Sequence, residues 1–385
     1  MRGYLKYVHS FVWIFLFFSP AIAYPAIINV PSVTAPTIQA GIGLAVSGDT
    51  VLVANGIYSG AGNSNIDFMG KAITVKSAGG PANCTVDATG GLRGFWFHRM
   101  ETAASVLDGF KIINGNAGVA EGGGILCELM SGPTIQNCVI TLNKATTGGG
   151  ISCSGSSPKI LNCIIEANSS LASGGGIGCD LASAPVITNC TIGKNTSAID
   201  GGGISIDNGS TVLVSNCQIN LNSAGTGGGG ISISLNSVAT IVNCVIAYNS
   251  SVIAGGGIDS GFGTSTITNC TIASNKSALG GGIKSESAKD TLTNCILWGD
   301  SPTEISVSLS TFTITYSDIQ GGYAGIGNIL PDPKFVNPLA ADFHLTAGSP
   351  CIGTGSILAP ALPATDKDGK PRVVGGKVDM GAYQF

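Results

Sequence analysis

The stretch Gly148–Ser170, GGGISCSGSSPKILNCIIEANSS, decides the fold, because the chain writes nearly the same line again and again. Gly-Gly-Gly-Ile ends at Ile125, Ile151, Ile177, Ile204, Ile231, Ile258 and Ile283, in steps of 26, 26, 27, 27, 27 and 25 residues. An Asn-Cys pair follows each one, from Asn137-Cys138 and Asn162-Cys163 through to Asn294-Cys295, so the period is that of a structural repeat.

Each unit holds three short apolar runs with period-two alternation, separated by turn residues and free of helical periodicity. In the coil that opens at Ile151, the inward set is Ile151, Cys153, Ile160, Cys163 and Ile165. Three short parallel strands per turn of about 26 residues predict an all-β fold, a right-handed parallel β-helix whose strands stack into three long sheets. The glycines open the first strand, where a turn with positive φ tolerates no Cβ. The Asn before each Cys falls at the bend between the second and third sheets, where a short amide accepts the left-handed conformation and stacks from coil to coil.

Of 385 residues, 58 are Gly, 44% are apolar and 10% are charged, which excludes a disordered tail and a nucleic-acid binder. The chain opens MRGYLKYVHSFVWIFLFFSPAIAYPA, with Arg2 and Lys6 before an apolar run and a small-residue site at Ala21-Ile22-Ala23. Residues 1–23 therefore read as a secretory signal peptide, and the chain as secreted or at the cell surface. After cleavage 16 basic residues stand against 22 acidic ones, a net charge of −6, and no further segment has the length of a membrane span.

Twelve cysteines in an exported chain ordinarily imply disulfides. Ten of them, however, occupy two repeat positions, where stacked strands place equivalent Cβ atoms about 4.8 Å apart, longer than the ~3.8 Å of a disulfide. They read as small buried hydrophobes in free-thiol ladders, with Cys84 and Cys351 outside the ladders and their pairing open.

The GGGI and NCxIxxN units resemble the repeats of the pectate-lyase-like superfamily of secreted right-handed β-helices, and the GGGI element is similar to repeats of polymorphic outer-membrane proteins. TIQAGIGLAVSGDTVLVANGIY resembles that superfamily's N-terminal helical cap and first strand, with Ile38, Ile42 and Ala45 on one face. Residues 24–330 then form the capped β-helix, with seven clear coils over about 122–300. The segment 331–385 resembles the end of choice-of-anchor β-helix proteins and reads as a C-terminal capping module. In that module Asp366, Asp368 and Gly369 begin like a calcium loop without its later acidic ligand, which favours capping over calcium.

Outward columns are where a site belongs. On the first sheet, the position after the repeat isoleucine reads Leu126, Ser152, Gly178, Ser205, Ser232, Asp259, Lys284, and the position two further on reads Glu128, Ser154, Asp180, Asp207, Ser234, Gly261, Glu286. Asp180 and Asp207 on adjacent coils are about 5 Å apart by strand spacing, close enough to share calcium or raise one another's pKa. They are the catalytic and metal candidates, with Glu128, Asp259 and Lys284 as ligand-binding candidates and Asp259–Lys284 as a neighbouring-coil ion pair. The resemblance implies carboxylates that hold calcium against an acidic sugar beside a Lys or Arg base. All four arginines lie outside the seven repeats, however, and the paired-Asp and His-Gly elements of polygalacturonases are missing. The bland reading of Asp207-Asn208-Gly209 is a turn.

The leading expectation is thus interaction with extracellular polysaccharide, as a lyase, a glycoside hydrolase or a binding protein. The alternative is a non-catalytic surface or adhesion protein, using the half-apolar outward column of the third sheet, Val139, Ile164, Thr191, Gln218, Val245, Thr271, Ile296, for a partner or for the C-terminal segment folding back. Third is ice binding by the second-sheet pairs Thr266/Thr268, Thr291/Thr293 and Thr313/Thr315, which resemble antifreeze solenoids. In GFWFHRM, Trp96, His98 and Arg99 form either a sugar-stacking platform or a capping cluster.

Overall fold

A computed structural model describes residues 24–385; the signal-peptide assignment, 1–23, lies outside them. The repeats coil as a parallel β-solenoid of three long sheets, with 10 strands in the first, 12 in the second and 11 in the third. The register follows the repeat: Ile125 lies opposite Ile151 and Cys127 opposite Cys153, and the next coil repeats the pairing as Ile151 with Ile177 and Cys153 with Cys179. Beyond the three expected strands, five coils carry a fourth strand of two residues at the corner between the third and first sheets, from Lys144–Ala145 to Ser250–Ser251.

The inward set named from sequence is buried, and all twelve cysteines are buried and free, Cys84 and Cys351 included. The ladder thiols bond to backbone: Cys163 Sγ donates to the Leu161 carbonyl at 3.3 Å, and Cys163 N–H donates to Cys190 Sγ at 3.4 Å. Helix Ile38–Leu44 seats Ile38 and Ile42 on the first coil, so the N-terminal cap is present.

Three glycines open each coil because a Cβ fits at none of them. Gly148 has φ of 63°, and a Cβ there would meet the Ile151 carbonyl at 2.3 Å; a Cβ on Gly149 or Gly150 would meet carbonyls of the same corner or the next coil at 2.3 to 2.6 Å. The corner therefore folds tightly back over its own strand.

The two asparagines of NCxIxxN do different work. The one before Cys takes the left-handed conformation throughout, with φ between 51° and 57° from Asn137 to Asn294, and some bond coil to coil, as Asn189 Nδ2 does to Asn162 Oδ1 at 3.2 Å. The second, Asn143, Asn168, Asn195, Asn222, Asn249 and Asn275, forms a fully buried ladder. Each donates its N–H and Nδ2 to the next Oδ1 at 2.9 to 3.0 Å. The ladder ends on Asp300, whose Oδ1 takes the Asn275 N–H and Nδ2 at 2.6 and 2.9 Å. The Asp300 N–H donates in turn to Glu304 Oε1 at 3.1 Å, so Glu304 stands in for the missing next amide.

Inward positions turn polar in two late coils: Ser260, Ser265 and Ser285 donate to the buried Asp290 carboxylate at 2.9, 2.6 and 2.5 Å. Three hydroxyls offset part of the desolvation cost that alternation alone did not reveal.

The segment 331–385 lies along the flank rather than across the last rung. Arg372, fully buried, donates to Asn243 Oδ1 and the Ala382 carbonyl at 2.5 and 2.7 Å. Asn269 and Asn294 donate to the Asp379 and Ser356 carbonyls at 3.0 and 2.9 Å. The bend asparagines of the solenoid thus become the docking rail. Val245, Thr271 and Ile296 of the third-sheet column are buried beneath the segment, which accounts for the apolar character of the column over these coils. Asp366 accepts N–H bonds from Asp368, Lys370 and Gln384 at 2.9, 2.8 and 2.7 Å and so organises its own turn.

Candidate functional site

The first-sheet face differs from its sequence reading in which column is free. The position after the repeat isoleucine, expected to be open, is covered: Leu126, Ser152, Ser205 and Ser232 are buried. The glycine corner folds back over this column, and a Cβ on Gly178 would sit 2.7 Å from Thr147 Cγ2 and 3.0 Å from Gly148 N. The free line is therefore the second column, Glu128, Ser154, Asp180, Asp207, Ser234, Gly261 and Glu286, all half-buried.

Asp180 and Asp207 do fall on successive rungs, since Ser154 pairs with Asp180 and Cys179 with Ile206 in register. Each carboxylate is already engaged. Asp180 Oδ1 accepts the Leu181 N–H at 2.7 Å and Asn208 Nδ2 at 2.6 Å, while Asp207 accepts the hydroxyls of Ser205 and Ser234. Burial raises the Asp207 pKa, the two serine hydroxyls oppose the rise, and the Asp180 charge adds to it. Among the described residues no three His, Cys, Asp or Glu side chains converge as metal ligands. A calcium ion bridging the pair would have Asp180 Oδ2 as its one oxygen without a local donor and would compete with the donors on the other three, so no step is routed through the metal.

The expected ion pair is rearranged. Lys284 Nζ bonds Glu286 Oε2 at 2.5 Å, on its own strand, rather than Asp259. Asp259 keeps a buried Oδ1 without a partner, and burial pushes its pKa up to about 6, with Lys284 pulling it down and Asp200 adding to the rise. Asp200, on the corner loop, accepts the Gly227 N–H at 3.0 Å. Sequence reasoning missed Asp200 because its proximity depends on the corner folding over the strand; its only signal was an acid just before a repeat glycine run.

Glu128 closes the line at its N-terminal end by accepting Trp96 Nε1 at 2.7 Å. His98 stacks on the indole at 3.6 Å and 10°, and the Arg93 guanidinium lies 5.4 Å over the same ring. His98 and Arg99 pair with Asp67 at 3.3 and 3.0 Å. The indole is thus already packed, as a cluster would be, and its edge lines a cavity of about 440 Å³ with Glu121, Leu126, Glu128 and Ser154. Beside the acidic line runs an exposed apolar ridge at the next corner, Leu129, Leu181, Leu235, Phe262 and Leu309.

The threonine array is not a free plane. Thr268 and Thr293 are buried, and Thr268 Oγ1 donates to the Pro360 carbonyl of the C-terminal segment at 2.6 Å. No helix of the described residues is long and apolar enough to cross a membrane.

A family model described as right-handed beta helix region matches residues 39–225 and 169–312. Among solved structures, the pectate lyase Pel9A superposes with a TM-score of 0.62 over 94% of this chain and 97% of its own, at 15% identity, which establishes likeness of fold. No curated protein matches the chain in sequence.

Proposed function

The chain belongs to the right-handed β-helix family, and from that premise we propose that its first-sheet face binds extracellular polysaccharide. One observation carries the reading: a line of carboxylates and hydroxyls from Glu128 through Asp180 and Asp207 to Glu286, bordered by an apolar ridge, gives an extended surface with one polar and one apolar side. A sugar chain has the same duality, with ring hydroxyls for charged and hydroxyl acceptors and C–H faces for aliphatic side chains. The pectate lyase of like fold supports a polysaccharide ligand by analogy, and the leader-like N-terminus supports an extracellular setting.

Of the chemistries weighed, hydrolysis suits the residues better than elimination. Elimination needs a free basic side chain, and Lys284 is tied to Glu286. Hydrolysis needs a carboxyl that holds its proton near neutrality, and burial pushes Asp259 that way, up to about 6. A glycan array combined with reducing-end and unsaturated-product assays over a polysaccharide panel tests this. The expected result is binding that falls about tenfold in Asp180→Asn with Asp207→Asn, about 1.4 kcal/mol; absence of any bound glycan rules the reading out.

A further inference from the structure

The two ends of the solenoid are finished differently. At the N-terminal end helix Ile38–Leu44 lies over the first coil and buries Ile38 and Ile42 completely. At the other end the last rung consists of Ile305–Ser308 at the edge of the first sheet and Thr311–Thr315 at the edge of the second, with no strand beyond either among the described residues.

The loop after Ile319 covers the third-sheet side and the second-sheet edge strand from Phe312 onward. Ile329 N–H bonds the Ser317 carbonyl at 2.9 Å, Asn328 Nδ2 bonds the Ile314 carbonyl at 3.1 Å, and the Tyr323 ring meets Phe312 edge-on at 5.9 Å. The first-sheet side stays open. Val307 occupies an inward column position and is 40% exposed, whereas Ser285, its register partner one rung below, is 0% exposed. Leu309, at the corner between the two edge strands, is 88% exposed.

The composition of this rung sharpens the point. Residues 305–315, ISVSLSTFTIT, contain no charge, no proline and no glycine. Natural sheets protect free edges with charges, prolines or bulges, and an uncharged window of high β-propensity on an open edge is a self-association segment. Here those protections are missing at the one place where the solenoid needs them.

We propose that the open last rung is the interface for a second copy of this chain, meeting it tail to tail. A two-fold axis sets the patch against its own image, so the unpaired groups of the first-sheet edge Ile305–Ser308 of one copy face those of the other, and Val307 and Leu309 of each cover the other's. The match is also electrostatic: the edge itself carries no charge to repel its image, Lys284 and Glu286 on the first-sheet rung below neutralise one another at 2.5 Å, Glu304 is buried, and the exposed Lys289 lies one rung back on the second-sheet side, in register with Thr311. Since the helix closes the opposite end, association stops at two copies instead of growing into a filament.

Sedimentation equilibrium of the chain from Tyr24 onward, without the leader-like residues 1–23, is expected to give twice its monomer mass. Leu309→Lys with Thr313→Lys replaces exposed side chains and is expected to weaken the dimer at least about tenfold; Val33→Lys, exposed at the helix-capped end, leaves it intact. As a second readout, Leu309→Cys under mild oxidation gives a disulfide-linked dimer and Val33→Cys does not, which decides the matter even if the lysine variant unfolds. A wild-type chain that stays monomeric at high micromolar concentration overturns the proposal. So does a dimer indifferent to the two lysines while circular dichroism shows them folded, or assembly that continues past two copies.

Discussion

The two asparagines of one repeat motif are chemically identical, and the structure predicts that their removal differs greatly in cost. Asn195 is fully buried and its side chain makes four bonds: Nδ2 to the Ile165 carbonyl at 2.9 Å and to Asn222 Oδ1 at 3.0 Å, and Oδ1 from the N–H and Nδ2 of Asn168, both at 3.0 Å. Asn195→Ala deletes all four and leaves the Asn168 N–H without its partner in a site closed to water. With about 1 kcal/mol for each of the four lost bonds the loss is about 4 kcal/mol, and the stranded Asn168 N–H and coupling along the ladder push it up rather than down. Asn189, six residues earlier in the same motif, is exposed and makes one side-chain bond, to Asn162 at 3.2 Å. Its replacement by Ala costs that bond plus the left-handed strain of a residue with φ of 55°, about 1–2 kcal/mol together. Urea unfolding followed by circular dichroism measures both, with the slope checked for constancy. If the two variants lose stability within 1 kcal/mol of each other, the buried ladder is not what holds the corner and the reasoning fails.

Three further predictions concern charge. Asp300 occupies the place of a ladder amide, and burial together with Glu304 holds its pKa well above the usual carboxylate range. A folded pKa above the unfolded one means stability is fullest in acid, below the ordinary carboxyl pKa, and is lost as pH rises towards the folded value. Asp300→Asn, which supplies the missing donor permanently, should therefore flatten the fall in melting temperature between pH 5 and pH 8, and curves parallel to wild type would contradict this. His344 bonds Asp342 Oδ1 at 2.5 Å and Asp368 Oδ2 at 2.7 Å, and because both nitrogens face acceptors only the imidazolium makes both bonds. Burial opposes this charge, but the two carboxylates outweigh it and raise the pKa. The clamp is thus complete below about 6.5, the unfolded value, and is lost as pH rises through the folded one; Asp368→Asn should weaken that dependence, by under about 1 kcal/mol for so exposed a pair, with Asp342 retaining the rest. Finally, millimolar calcium should leave the melting temperature unchanged, because three of the four oxygens of Asp180 and Asp207 accept local donors; a clear rise in differential scanning fluorimetry would restore calcium to the site.

Much of this molecule was legible in its sequence because a solenoid is nearly one-dimensional: each coil touches only its neighbours, so a period of about 26 residues is also the spatial pitch of the fold. The stacked isoleucines, the free-thiol ladders, the left-handed asparagines and the helical cap all follow from that local rule. Repeat spacing also put Asp180 and Asp207 on neighbouring rungs. What it could not supply were contacts at right angles to the repeat. The glycine corners fold over the column after each isoleucine, which buries Ser152 and Ser205 and brings Asp200 to Asp259; this depends on the path of a turn, for which alternation carries no signal. The C-terminal segment crosses more than a hundred residues of sequence to reach Asn243 and Thr271, so the apolar third-sheet column and the threonine array acquired their cover only in three dimensions. Period and alternation determine which side of a strand a residue faces; only the folded chain decides what lies on that side to meet it.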